Sequence, residues 1–529
     1  MRALFKFFGY LLGTLLLVVS SWIHDEYGRV TIDQVLYHIG FGTDALLASD
    51  PELSLRLIHE VAWPAFGTGI LLTLCDAFVT RAGRHRLART LAGSHGLLQG
   101  AARVATAVAD RVLASLAALY RHRPHLLMPL AGLFQFGYSF AVVDYVRAHY
   151  GPDLFAAAYV DPARVTKRGG EPTNLVVIYV ESLENTYADP ALFGHDLLAR
   201  LNRLKPQGIS FDAYHEVLGA HFTIAGLVST QCGIPLRSLA MFLGNKQGER
   251  IGRFLPRASC LGDILHHNGY TNVFLNGSSL EFAGVGKFFR EHHFDKIMGR
   301  EEWLQLGASA DQMSGWGLHD DDLFARAREE LDRLKAAGKP FHLDILTIDT
   351  HHPRGHLSRR CRERGVADFE GIVECTADTV AEFVEYVIDR GWLADTAVVI
   401  QGDHLAMGNT VYPKLTTNPQ RTVFNLILGG RRPLTKNTDT VTHFDMLPTM
   451  LELAGLTVVG ERAGLGYTAI GDASVPRPGD RLAHIGELTR TVSPGYRQLW
   501  EPPPPTLRAG APDREVGDGY EFDFSPGAG

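Results

Sequence analysis

The chain has 529 residues, 46% of them hydrophobic, 10% aromatic and 21% charged, with a formal net charge of −7. That apolar content excludes a disordered chain, and a pI near 6.4 gives no electrostatic reason to expect nucleic acid as a partner. Five cysteines with no CxxC pair exclude a disulfide-built mini-scaffold and a zinc ribbon.

The first 150 residues read as a membrane anchor. Residues 4–23 carry one charge, Lys6, and have about the length that crosses a hydrocarbon core. Two more apolar stretches lie at about 61–79, which contains Asp76, and 126–143. A cleaved signal peptide is the alternative for the first stretch, but no small-residue cleavage site comes after it. Between the second and third stretches, at 80–125, lie Arg81, Arg84, Arg86, Arg89, Arg103, Arg111, Arg121 and Arg123 against Asp110. The segment between the first two is acidic, with Asp25, Glu26, Asp33, Asp44, Asp50 and Glu52 against Arg29 and Arg56. Positive-inside asymmetry puts the N-terminus and the Arg-rich loop in the cytoplasm and everything after about residue 150 outside. Within that loop, 98–120 is expected to form an amphipathic surface helix, and Glu60 to lie at the outer interface. Asp76 sits near the cytoplasmic end of its span, within reach of water or Arg81, and carries no assigned role.

From about 165 to 490, strand-like runs alternate with helical patterns, which predicts an α/β domain with a mostly parallel central sheet flanked by helices. The tail, 501–529, is rich in Pro and Gly and reads as disordered. Cys232, Cys260, Cys361 and Cys375 all fall in the outer domain, where an oxidising compartment permits disulfides. Cys361–Cys375 would close a short loop, but the pairing is open at this level.

Three runs read as buried parallel strands: 175–180, 342–348 and 396–401. Each leads directly into chemistry: Glu181-Ser182, Asp349-Thr350-His351-His352, and Gly402-Asp403-His404. Ligand crevices of open α/β sheets lie beyond the carboxyl ends of the strands, so these residues converge on one edge and suit a divalent cation. Thr223 comes after a Gly-containing turn and opens a small-residue helix. Locally it reads either as a plain N-cap or as a nucleophile at a positive helix end.

Taken together, the segments at 174–184, 223–236, 260–265, 282–284, 316–317, 349–353 and 403–407 resemble the periplasmic glucan phosphoglycerol transferases. These are relatives of lipoteichoic acid synthase within the alkaline phosphatase/sulfatase superfamily. The resemblance implies a sulfatase-like fold in the bacterial inner membrane, its catalytic domain in the periplasm. It implies a divalent metal, Mn²⁺ first and Mg²⁺ or Zn²⁺ otherwise, held by Glu181, Thr223, Asp403 and His404, with Thr223 as nucleophile. His351 and His352 fall where the synthases contact glycerol phosphate, and Phe282 lies near an aromatic of the same pocket. The donor implied is phosphatidylglycerol and the acceptor a glucan. The segment 443–449 reads as structural.

Larger members of that branch carry a further C-terminal region, which leaves acceptor recognition open. A formylglycine sulfatase is argued against, because Pro235 stands three residues after Cys232, one too many for C/S-x-P-x-R. The competing readings are a phosphoethanolamine transferase, a phosphodiesterase and an inactive metal-binding scaffold.

Overall fold

A computed structural model of the chain describes residues 1–28, 30–32, 34–36, 51–90, 123–150, 153–237, 252–472, 474–489 and 494–501. The expected surface helix at 98–120 and nearly all of the tail lie outside these residues.

Helix α1 spans Arg2–Tyr27. A short helix, Pro51–Arg56, and a π-helical turn, Leu57–Ala62, lead into α2, Trp63–Thr90, so the first residues of the expected Arg-rich loop are helical. Among the described residues, two stretches are long and apolar enough to cross a membrane, Ala3–Tyr27 and Leu53–Phe78. The third, expected at 126–143, is not one continuous helix. Helix α3 covers only Pro124–Ser139. Sixteen residues rise about 24 Å, short of a ~30 Å hydrocarbon core. The break has a visible cause: the Phe140 carbonyl accepts the Ile32 N–H at 2.8 Å, and Ala141 turns left-handed at φ 52° before helix resumes at Val142. Of the three expected spans, two are thus continuous apolar helices of spanning length among the described residues, and the third is a shorter apolar helix followed by a break.

Helices α1 and α3 run side by side in the same direction, pressed together at Gly13 and Gly132. A Cβ on Gly132 would lie 2.9 Å from the Gly13 carbonyl oxygen. Small residues let backbones approach where lipid offers no hydrophobic driving force. Asp76 is buried and pairs with Lys6 at 2.8 Å. Glu60 accepts the Trp22 indole N–H at 2.7 Å.

The outer domain is built on seven strands: β1 (Asn174–Val180), β2 (Gly208–Ile209), β3 (Thr271–Asn276), β4 (Lys296–Met298), β5 (Phe341–Leu346), β6 (Thr396–Gly402) and β7 (Asn425–Gly429). Their order is β2-β7-β6-β1-β5-β3-β4. Neighbours are parallel except at β7, which is antiparallel to both β6 and β2. Strand β1 sits centrally between β5 and β6, in register from Leu175 opposite His342 and Ala397. Its Leu175, Val176, Val177 and Ile178 have no exposed surface, and each side chain so buried contributes roughly 1.5–3 kcal/mol.

Alternation along β1 divides the domain into two cores. Leu175, Val177 and Tyr179 face α4 (Thr223–Cys232) and α7 (His443–Leu453). Val176, Ile178 and Val180 face α5 (Asp320–Ala337) and α6 (Phe369–Asp389). Disulfides join Cys232 to Cys260 and Cys361 to Cys375. The first ties the C-terminal end of α4 to the helix beginning at Leu261.

Candidate active site

The three central strands end beside one another, and residues just past two of them meet. Glu181 comes directly after β1, and Asp403 and His404 directly after β6. All three are at most 2% exposed, and one ligand atom from each lies within 4.8 Å of the others. His404 Nε2 stands 3.6 Å from Glu181 Oε1 and 3.5 Å from Asp403 Oδ2. His404 Nδ1 donates to the Leu405 carbonyl at 2.7 Å, which turns Nε2 toward the carboxylates.

The carboxylates are themselves oriented. Asp403 Oδ1 accepts from the Ser182 and His404 backbone N–H groups at 2.8 and 2.9 Å. Ser182, held at φ 57°, donates its hydroxyl to Glu181 Oε1 at 2.6 Å.

Thr223 joins this group from the other side. It is the first residue of α4, whose N-cap is Phe222, and Thr223 makes no capping bond. Its Oγ1 donates instead to Glu181 Oε2 at 3.3 Å. The N-cap reading of Thr223 therefore does not describe this residue. Helix α4 reaches the site by passing over the Asp403 backbone at Gly226, and His443 Nε2 donates to the same Asp403 carbonyl at 2.9 Å from the start of α7. The segment 443–449 thus supports the site from below.

Electrostatically the group favours bound positive charge. Burial pushes the Asp403 carboxyl up to about 8, with Glu181 adding to the rise. Burial alone would lower His404, but Asp403 and Glu181 outweigh it and carry the imidazole to about 9. Asp403 Oδ2 is buried with no hydrogen-bond partner among the described residues. An unpartnered buried carboxylate oxygen facing a second carboxylate and an imidazole is the environment a divalent cation satisfies. The donor set therefore fits the implied metal.

His351 and Phe282 line the cavity that opens over Thr223 and His404, and so does His352. His351 Nδ1 donates to the His352 carbonyl at 2.8 Å. The rings form a continuous stack: Phe282 stands edge-on to Trp316 at 5.0 Å, Trp316 lies 4.1 Å from His351, and His351 lies 4.3 Å from His352. Asp349 is not part of the group, because its carboxylate accepts from His319 Nδ1 at 2.7 Å and from the Asp320 N–H.

Sequence reasoning named Ser182 and Trp316 only within longer segments, without a role for either, and it missed two further contributors. Glu216, which accepts the Leu405 N–H at 2.7 Å, and Tyr27, edge-on to His352 at 5.1 Å, lie far from the motifs they touch.

Cys232 is closed in a disulfide at the opposite end of α4 from Thr223, so it is not available for conversion to formylglycine. Phosphoglycerol transferase I of Escherichia coli O81 (strain ED1a) is 33% identical over 401 residues, which cover 72% of this chain and 51% of that protein. The protein of the same name in Shigella flexneri is 33% identical over 402 residues, with the same coverage of 72% and 51%. The chain thus spans about half the length of these curated relatives. Among solved structures, the lipoteichoic acid synthase LtaP of Listeria monocytogenes is 17% identical, with a TM-score of 0.44, covering 60% of this chain and 76% of that one. The family model described as Sulfatase matches residues 173–456, from just before β1 to just beyond α7, and the chain belongs to the sulfatase family.

Proposed function

We propose that this protein transfers a phosphoglycerol group from phosphatidylglycerol to a glucan hydroxyl at the outer face of the bacterial inner membrane. The observation that carries the reading is the Thr223 hydroxyl, with no capping bond to make and 3.3 Å from Glu181 in a site with an unpartnered buried carboxylate oxygen. Similarity to phosphoglycerol transferase I supports the choice of group transferred.

Glu181, Thr223, Asp403 and His404 would hold one divalent cation, Mn²⁺ by the family resemblance with Mg²⁺ or Zn²⁺ as alternatives, which when bound supplies charge neutralisation for the phosphoryl oxygens and a lowered pKa for the hydroxyl. Thr223 Oγ forms a bond to phosphorus, and the bond from phosphorus to the diacylglycerol oxygen breaks. That oxygen takes up one proton, matching the one Thr223 has lost. His351 lines the cavity; a carbonyl engages its Nδ1–H, which makes Nε2 the nitrogen to meet substrate, placed to take up the Thr223 proton and pass it to that oxygen. The glucan hydroxyl then forms its bond to phosphorus, the phosphorus bond to Thr223 Oγ breaks, and the Thr223 proton is restored. A covalent intermediate lets a lipid and a sugar use one site in turn. His352, Phe282 and Trp316 would wall the glycerol moiety. The two apolar spans keep the site at the bilayer, and the disulfides suit a periplasmic location.

Incubation of the full chain with Mn²⁺ and phosphatidylglycerol, then peptide mass mapping, tests this directly. A glycerophosphate-sized adduct on Thr223 is expected. A phosphoethanolamine adduct formed preferentially from phosphatidylethanolamine would replace the donor assignment, and diacylglycerol release with water as sole acceptor would make the protein a phosphodiesterase.

A further inference from the structure

The cavity above Thr223 is not confined to the catalytic domain. It encloses about 350 Å³, and the anchor lines it with Ile23, Val30, Val35, Leu53 and Leu57, together with Trp22, Tyr27, Gln34 and Arg56. The lining therefore joins the hydroxyl and imidazoles of the catalytic domain to a mainly apolar set from the anchor.

The position of that anchor wall is fixed by the spans themselves. The first ends at Tyr27 and the second begins at Leu53, so both contribute their outer ends to the cavity. The catalytic domain sits directly against them: a Cβ on Gly408 would lie 2.5 Å from the Glu26 carbonyl oxygen. Arg56 pairs with Glu26 at 3.1 Å, which ties the start of the second span to the end of the first. The π-helical turn at Leu57–Ala62 widens the helix where the wall is formed, a feature frequent at functional sites. Trp22 and Tyr27, ring centroids 6.0 Å apart, are the residue types that settle at a membrane interface.

We infer that this anchor-built wall is the binding site for the glycerol backbone and first acyl carbons of an intact diacyl glycerophospholipid, which enters from the bilayer with its phosphate toward Thr223. The inference rests on the phosphoryl-transfer reading above and adds where the lipid is held. A polar soluble substrate gains nothing from a mainly apolar wall, whereas a glycerophospholipid changes from charged to apolar over the same few ångströms. The cavity is far too small for two whole acyl chains, so these continue into the membrane.

The test uses the full chain as Thr223→Ala, which keeps the lipid unreacted, in vesicles containing phosphatidylglycerol with a diazirine beside the acyl ester. Irradiation is expected to label residues 22–35 and 53–57 about tenfold above the exposed Leu71, Leu74 and Phe78 of the second span. Filling the wall with Leu57→Trp should remove that enrichment. Even labelling of both regions, or enrichment unchanged by Leu57→Trp, overturns the inference. A Thr223 adduct in the unsubstituted protein without wall labelling would overturn the wall and leave the transferase reading intact. Wall labelling stronger with phosphatidylethanolamine would support the wall and overturn the head-group assignment.

Discussion

The backbone carbonyl of Asp403 occupies the space where a side chain on Gly226 would begin, 2.1 Å from the position of its Cβ. The helix that presents Thr223 and the loop that presents Asp403 and His404 are thereby in backbone contact, and each sets the other's height above the sheet. Gly226→Ala should force these two segments apart. Overpacking of a backbone-limited contact costs about 1–3 kcal/mol, and activity should fall at least about tenfold with Mn²⁺ affinity weakened in parallel. Titration calorimetry and a transfer assay on the same preparation check both.

Thr223→Ala should abolish the covalent adduct and lower transfer by about a thousandfold or more, because no other hydroxyl donates to Glu181 Oε2 among the described residues. Thr223→Ser keeps the hydroxyl and should restore the adduct. Mass mapping of both variants separates loss of the nucleophile from damage to the fold, which circular dichroism would show unchanged.

Metal removal should make stability pH-dependent in a defined direction. Asp403 is raised by burial from its ordinary 3.8 to about 8, so its contribution is present at low pH and is lost as pH rises toward 8. His404, raised by the carboxylates from 6.5 to about 9 against the opposing effect of burial, adds stability that is complete below 6.5 and lost through 9. The metal-free protein should therefore melt at progressively lower temperature from pH 6 to pH 9. Saturating Mn²⁺ should flatten or reverse that trend, since cation and protons compete for the same atoms. Thermal melts across this range with and without Mn²⁺ decide it.

The loop carrying Asp403 and His404 is also pinned from outside. Glu184, wholly buried, receives two hydrogen bonds from Arg421 Nε, each at 3.0 Å, and one from the Ala406 N–H at 3.1 Å. Arg421→Met leaves a buried carboxylate without its counter-charge and should destabilise the domain by about 3–5 kcal/mol. Adding Glu184→Gln should recover part of the loss, measured by denaturant unfolding of the single and double variants.

Local pattern was enough to specify the central strands and the residues immediately after them. The largely apolar runs at 175–180, 342–348 and 396–401 read as strands buried on both faces, and in a parallel sheet their ends share an edge. Glu181, Asp403 and His404 were legible for that reason. The rest of the site depended on contacts between distant segments. Thr223 is a hydroxyl facing Glu181 because Phe222 takes the cap position, which no local propensity distinguishes. Asp349, read as part of the catalytic edge, turns to His319 thirty residues away. The third apolar stretch breaks at Phe140 because Ile32 claims its carbonyl. Tyr27 meets His352 across more than three hundred residues of sequence. Backbone hydrogen bonding and strand burial are short-range and periodic, so they leave a pattern in the sequence. The meeting of an anchor helix with a catalytic loop leaves none, because it is settled only when the whole chain has packed.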